Sequence, residues 1–165
     1  MEFTHSGEAK VTVRRTAPTL LVVEDARDEA ILVELAARRC HPGLRVRTAH
    51  DGYEGAAYLA GVPPFDNREA HPRPDLIILD LFMPEVDGFA LLNWIRKRPA
   101  LSTIPVVVLT SSGRRDDETR ARWLGARVVY RKPDNLNELG DVVREIIDLY
   151  IPRGAMIDAH LAWGG

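Results

Sequence analysis

The chain of 165 residues has little cysteine, few aromatic residues and no long apolar run. Its single cysteine, Cys40, has no CxxC partner, which argues against metal or redox chemistry and favours a partly buried structural thiol. No apolar run approaches the ~20 residues of a membrane-spanning helix, and residues 1–18 lack the apolar core of a signal peptide. We therefore expect a cytoplasmic protein without a membrane segment.

An excess of charge of one sign is also missing. The chain has 22 basic and 24 acidic residues, which gives a formal net charge of −2 at pH 7. A nucleic-acid-binding domain ordinarily presents a basic surface, so the composition favours no nucleic-acid partner. The apolar content of 45% and the charged content of 28% are typical of a globular protein. The length suits one domain with a good core and is too short for two typical ones.

Short apolar runs alternate with amphipathic segments along most of the chain. Strands are predicted at residues 19–23, 44–49, 76–79, 104–110 and 127–130. Helices are predicted at residues 28–39, 53–59, 88–97, 114–124 and 136–150. Runs without alternation indicate strands buried on both faces, whereas the alternating run 44–49 indicates an edge strand. This order predicts an α/β fold, a doubly wound five-stranded parallel sheet flanked by five helices.

The same patterns divide the chain into three parts. Residues 1–17 are polar and form a predicted flexible N-terminal segment, residues 18–150 form the α/β domain, and residues 151–165 form an apolar C-terminal arm. This arm is predicted either to cover the surface of a second copy or to fold back on its own domain. Within the domain, residues 61–73 are rich in proline and charge. This surface loop is longer than most connections, and we interpret it as a candidate functional segment.

Polar side chains follow four of the predicted strands. Glu24 and Asp25 follow the first strand, Asp80 the third, Thr110 ends the fourth, and Lys132 follows the fifth. The carboxyl ends of parallel strands form the ligand-binding crevice of such sheets. Three carboxylates there repel one another unless a cation joins them, and hard oxygen ligands suit Mg²⁺.

A lysine and a hydroxyl beside these carboxylates suit phosphoryl oxygens, and aspartate is an established phosphoryl nucleophile. The pattern therefore predicts Mg²⁺-dependent transfer of a phosphoryl group onto Asp80. Each group alone also fits helix capping, strand termination or a solvated charge. Their occurrence together at four strand ends favours the site.

The ordered motifs resemble the response-regulator receiver domains of two-component signalling, from about residue 19 to residue 150. The resemblance rests on VVED at 22–25, LDLFMPEVDG at 79–88, PVVVLT at 105–110 and KP at 132–133. It implies the flavodoxin-like strand order 2-1-3-4-5.

The resemblance also implies a role for each site residue. Asp80 would accept a phosphoryl group from a histidine kinase, and Mg²⁺ would be held by Glu24, Asp25, Asp80 and the backbone carbonyl of Phe82. Thr110 would bind the phosphoryl group in the active state, and Lys132 would pair with it.

More narrowly, the chain is similar to stand-alone regulators paired with bacterial phytochromes. The similarity lies in the proline-rich loop, the helix that follows the 79–88 motif, the run 104–110, and an apolar last helix that ends in Pro152. It implies a bacteriophytochrome sensor kinase as phosphodonor in a phosphorelay, output by protein–protein contact, and a homodimer formed through the last helix and the C-terminal arm.

Two residues depart from the family pattern. Val129 lies where the family usually has a switch aromatic, and Tyr130 follows it on the opposite face of the strand. Signalling is therefore predicted to be read from the fifth strand, the last helix or the dimer state. Phe82 lies where a polar residue is common near the path of an attacking water, which predicts slow hydrolysis of the phosphoaspartate. Alternatively, Phe82 only packs against the neighbouring loop.

Two other functions fit parts of the sequence. A phosphohydrolase with an aspartate nucleophile usually has a second acid two residues on, where this chain has Phe82. A pseudo-receiver that acts as a pure interaction module is expected to lack an acidic residue or Lys132, and all are present. We expect no enzymatic activity beyond the protein's own phosphorylation and dephosphorylation. The fifteen residues after Tyr150 are too few for a helix-turn-helix.

Overall fold

The computed structural model describes residues 17–151 and shows a parallel sheet between two layers of helices. The strands are β1 (Thr19–Val23), β2 (Arg45–Ala49), β3 (Leu76–Leu79), β4 (Val106–Thr110) and β5 (Val128–Arg131). The helices are α1 (Arg27–Cys40), α2 (Gly52–Ala60), α3 (Gly88–Arg96), α4 (Arg115–Trp123) and α5 (Leu136–Tyr150). The strand order is β2-β1-β3-β4-β5 and every pair is parallel. The predicted fold class and strand order are confirmed.

The described range leaves out residues 1–16 and 152–165. The predicted flexible N-terminal segment and nearly all of the predicted C-terminal arm therefore lie outside the described residues. Among residues 17–151, none of the helices combines the length and the apolarity that crossing a bilayer requires.

Two apolar cores hold the sheet, one on each face. Alternate residues of the central strands enter different cores: Leu21 and Ile77 pack on the side of α2, α3 and α4, whereas Leu20 and Ile78 pack on the side of α1 and α5. Strands β1, β3 and β4 are buried along their whole length. Strand β2 lies at an edge of the sheet, as its alternation predicted.

The predicted boundaries agree with the structure to within a few residues. Strand β4 begins at Val106 and not at Ile104, because Pro105 has no N–H to donate to the ladder. The carbonyl of Pro105 still accepts a hydrogen bond from the Ile77 N–H at 3.0 Å. Helix α4 has a single buried residue, Ala121, as its charged sequence indicated. Cys40 is free and partly buried, as predicted.

Helix α3 begins where the chain leaves the end of β3, and two residues fix this turn. The Asp87 carboxylate caps the helix by accepting a hydrogen bond from the Ala90 N–H at 2.8 Å. Gly88 lies so close to β3 that a Cβ atom there would be 2.3 Å from the carbonyl oxygen of Asp80. The turn after Asp80 therefore leaves no room for a side chain at residue 88.

The loop at residues 61–73 is folded back against the end of α2. The Arg68 guanidinium donates hydrogen bonds to the carbonyls of Tyr58 and Leu59, both at 2.9 Å. The Tyr58 hydroxyl donates to the carbonyl of Pro72 at 2.8 Å, and Phe65 packs beside the buried Tyr58 ring. Because this loop leads into the first residue of β3, it lies at the amino end of that strand, opposite the carboxyl end that Asp80 follows. Its functional role stays a hypothesis.

We predict that Arg68→Met destabilises the protein by about 1–2 kcal/mol, since two carbonyls at the end of α2 lose a charged donor. Urea unfolding measures this change, with the exposed Arg115→Met as a matched control. An unchanged midpoint for Arg68→Met would show that water replaces the guanidinium at no cost.

Candidate functional site

Three carboxylates meet where β1 and β3 end. These strands are neighbours in register, with Val23 opposite Leu79, so the residues that follow them lie side by side. One side-chain oxygen each from Glu24, Asp25 and Asp80 lies within 4.8 Å of the other two. Glu24 and Asp80 are buried and Asp25 is more exposed.

Burial makes the negative charge of this cluster costly. It raises the pKa of Glu24 to about 7, and the nearby Asp80 carboxylate raises it further against the opposing effect of Lys132. Burial also raises the pKa of Asp80 above its ordinary value. A divalent cation would favour the ionised carboxylates, and these oxygen donors are the type that Mg²⁺ or Mn²⁺ accepts. The donor set therefore fits a hard divalent ion.

Lys132 follows β5 and reaches this cluster with its ammonium group. Its backbone N–H donates to the Thr110 carbonyl at 2.8 Å, which ties it to the end of β4. Its Nζ donates to Glu24 Oε2 at 2.6 Å and lies 3.6 Å from Asp80 Oδ2. Burial lowers the pKa of Lys132, but hydrogen bonds to the carboxylates of Glu24 and Glu29 outweigh it and the net pKa is raised. The ammonium is therefore charged at neutral pH.

A backbone N–H, a hydroxyl and an ammonium surround the Asp80 carboxylate and partly offset the cost of its burial. The Leu81 N–H donates to Asp80 Oδ1 at 2.8 Å. The charge of Lys132, the Leu81 N–H and the Thr110 hydroxyl all act to lower the pKa of Asp80, although burial outweighs them. Thr110 is buried at the end of β4. The structure thus brings together Glu24, Asp25, Asp80, Thr110 and Lys132.

Phe82 lies beside this group with its ring half exposed. The residue is 51% exposed, and its ring meets that of Phe89 of α3 edge to face, with the centroids 6.0 Å apart. The Phe82 side chain therefore packs against α3. The proposed metal contact of its backbone carbonyl stays a prediction.

Glu29 is a site residue that the sequence did not single out. It lies in the first turn of α1, and its carboxylate contacts the Lys132 ammonium. Its spacing of four from Asp25 carried no usable signal, because Asp25 precedes α1 and the two residues do not share a helix face. Nothing in the sequence showed that this face of α1 meets Lys132.

The two residues at the centre of β5 point to opposite faces of the sheet, as predicted. Val129 packs against the core on the α4 side, and Tyr130 packs against the core on the α5 side. The Tyr130 hydroxyl donates to Glu145 Oε1 of α5 at 2.9 Å. Burial and this hydrogen bond raise the pKa of Tyr130 to about 12. The aromatic ring of β5 is therefore attached to α5.

Comparison with known proteins agrees with this geometry. The family model for the response regulator receiver domain matches residues 20–144. Response regulator Rcp1 of Synechocystis sp. is 33% identical over 132 residues, which cover 80% of this chain and 88% of Rcp1.

Solved structures give the same result. The phosphorylated cyanobacterial phytochrome response regulator RcpA is 33% identical with a TM-score of 0.76, over 82% of this chain and 95% of RcpA. The Mn²⁺-bound form of Rcp1 is 32% identical with a TM-score of 0.72, over 81% of this chain and 94% of that one. The family match spans all five strands, and the polar groups at their ends include the three acids, the threonine and the lysine. The chain belongs to the response-regulator receiver family.

Proposed function

We propose that this protein is a phosphoacceptor switch that takes a phosphoryl group from a histidine kinase onto Asp80. The observation that carries the proposal is the surroundings of the Asp80 carboxylate. It is buried within an acidic cluster that fits a divalent cation, and Asp80 Oδ2 is 3.6 Å from a charged ammonium. A structural aspartate at a strand end requires neither feature.

The chemical step is an in-line displacement at phosphorus. An oxygen of Asp80 forms the new P–O bond while the P–N bond to the kinase histidine breaks, and the bonding electrons leave with the imidazole nitrogen. Lys132 supplies positive charge beside the transferred group, and the Thr110 hydroxyl supplies a hydrogen bond to one of its oxygens. These groups hold the phosphoaspartate once it has formed.

Glu24, Asp25, Asp80 and the carbonyl of Phe82 are proposed to hold Mg²⁺. When bound, Mg²⁺ would supply positive charge to the phosphoryl oxygens during transfer. The oxygen donors of the cluster support this choice, and so does the Mn²⁺ bound by the similar regulator Rcp1. We place this activity in the cytoplasm.

A phytochrome-type sensor kinase is the proposed phosphodonor. The support is the similarity to Rcp1 and to RcpA, which is described as a phytochrome response regulator. The output is proposed to be a protein–protein contact, without a nucleic-acid partner.

We predict that acetyl phosphate with Mg²⁺ adds one phosphoryl group to the protein, and that Asp80→Asn abolishes this addition. The expected reason is the loss of the nucleophilic carboxylate while the shape of the side chain is retained. Intact mass spectrometry measures the product, and chelation of Mg²⁺ should also prevent it. Phosphotransfer from a panel of histidine kinases then identifies the donor, with Asp80→Asn as the control.

The same experiment separates the alternatives. A pseudo-receiver would gain no mass with either acetyl phosphate or a kinase. A phosphohydrolase would turn over added phosphate esters continuously, whereas the proposed switch forms one phosphoaspartate per chain.

We predict that Phe82→Asn accelerates dephosphorylation of Asp80 by about tenfold, which corresponds to ~1.4 kcal/mol in the barrier. The half-exposed Phe82 ring lies two residues from the acceptor, where an amide would instead bind the attacking water. The decay of the phosphorylated mass after removal of the donor gives the rate, and Phe82→Leu serves as the apolar control. Equal rates for wild type and Phe82→Asn would show that Phe82 only packs against α3.

A homodimer formed through α5 and the C-terminal arm is a further part of the proposal. Leu149, in the last turn of α5, is 63% exposed and lies just before the arm. An exposed leucine at this place suits burial against a second copy.

We predict that Leu149→Arg in the full-length chain shifts the protein from dimer to monomer in light scattering, because the charge cannot be buried in an apolar interface. The control is Tyr53→Arg, which changes a 73% exposed residue of α2 and should leave the mass unchanged. A dimeric Leu149→Arg variant would place the interface elsewhere.

A further inference from the structure

The Lys132 ammonium has a second carboxylate partner that metal binding does not explain. Besides Glu24, it contacts the carboxylate of Glu29. Glu29 is not a member of the three-carboxylate cluster that fits a divalent ion. The ammonium is hydrogen-bonded to Glu24 at 2.6 Å, whereas its 3.6 Å distance to Asp80 Oδ2 is too long for a hydrogen bond. The two glutamates therefore take the hydrogen bonds of the ammonium, whereas Asp80 keeps only an ion pair with it.

The two glutamate contacts differ in how easily they are broken. The Glu24 side chain is 5% exposed, and separating it from Lys132 would leave a buried carboxylate oxygen without its hydrogen-bond donor. The Glu29 side chain is 49% exposed, so its carboxylate is hydrated when the lysine leaves. The Glu29 contact is thus the one that yields most easily when a phosphoryl group attracts the ammonium.

The position of Glu29 in α1 lowers the cost of this exchange further. The N-cap residue of the helix, Ala26, provides no side-chain cap, and Glu29 lies in the first helical turn. A free carboxylate is favoured there by the positive end of the helix dipole. The helix terminus and solvent therefore both stabilise the Glu29 carboxylate when Lys132 leaves it.

We propose that Glu29 is a positioning residue that competes with the phosphoryl group on Asp80 for the Lys132 ammonium. This inference rests on the proposed phosphoacceptor function. In the unphosphorylated protein, Glu29 retains the ammonium on the α1 side of the site. The ammonium binds the phosphoryl group on Asp80 only when its contact with Glu29 is broken. Glu29 therefore determines how readily Lys132 pairs with that group.

The test uses beryllofluoride, a phosphoryl analogue, with the full-length protein at saturating Mg²⁺. Glu29→Gln removes the competing charge and keeps the length of the side chain. We expect its affinity for beryllofluoride, measured by calorimetry, to rise about three- to fivefold, the range expected for a partly exposed ion pair. Phosphorylation by acetyl phosphate should accelerate by a similar factor.

The matched control is Asp28→Asn, which removes one negative charge from the same turn of α1 at an exposed residue. A general electrostatic effect on anion binding would raise the affinity equally in both variants, and that result would overturn the proposal. We expect a change of less than about twofold for Asp28→Asn, because solvent screens exposed charges.

The Mg²⁺ affinity, measured separately, distinguishes positioning from a structural role. Competition for Lys132 predicts that Glu29→Gln raises the beryllofluoride affinity without raising the Mg²⁺ affinity. Unchanged or weakened beryllofluoride binding in a folded Glu29→Gln protein would refute the competition. If the wild type binds no beryllofluoride and accepts no phosphoryl group, the proposed function itself fails. If the wild type binds beryllofluoride and Glu29→Gln shows no higher affinity, only the proposed role of Glu29 fails.

Discussion

Burial of the Asp80 carboxylate at the end of β3 is the constraint to which the surrounding groups respond. A buried carboxylate without partners is unfavourable, and here burial outweighs the groups that lower its pKa. Its partners come from separate elements: a hydrogen bond from the next residue, a hydroxyl from β4, and an ammonium that follows β5. Two further acids at the end of β1 add negative charge to the same place. This excess of carboxylates is compatible with a stable fold because a cation can join them.

The sheet brings these groups together because its strands are fixed in register. Each buried aliphatic side chain contributes roughly 1.5–3 kcal/mol relative to an exposed one. The central strands enter apolar cores on both faces, so a shift of one residue would exchange the side chains of the two cores. Register places Leu79 opposite Val23. Asp80, which follows Leu79, therefore lies beside the two acids that follow Val23. The close approach of Gly88 then turns the chain away from the site.

Much of the fold and the candidate site could be predicted from the sequence, and the reason is periodicity. Uninterrupted apolar runs predicted β1, β3 and β4, and the rule that parallel strands end at one edge placed Asp80, Thr110 and Lys132 together. The partner of Glu29 could not be predicted, because it depends on how α1 is rotated about its axis over the sheet. The packing of residues 61–73 could not be predicted from the sequence either. Its guanidinium-to-carbonyl bonds join Arg68 to residues that share no sequence pattern with it.

Hydrogen bonds connect Thr110 to α4, and no aromatic side chain takes part in them. The Ser112 N–H donates to the Thr110 hydroxyl at 3.4 Å, and the Ser112 hydroxyl donates to Asp117 Oδ2 of α4 at 2.6 Å. On β5, the residue facing α4 is Val129, whose branched side chain has no large ring to move between an inner and an outer position. Tyr130, which does have such a ring, faces the other way and is bonded to Glu145 of α5. The end of β4 is thus joined to α4 by hydroxyl hydrogen bonds, while the aromatic side chain of β5 is joined to α5.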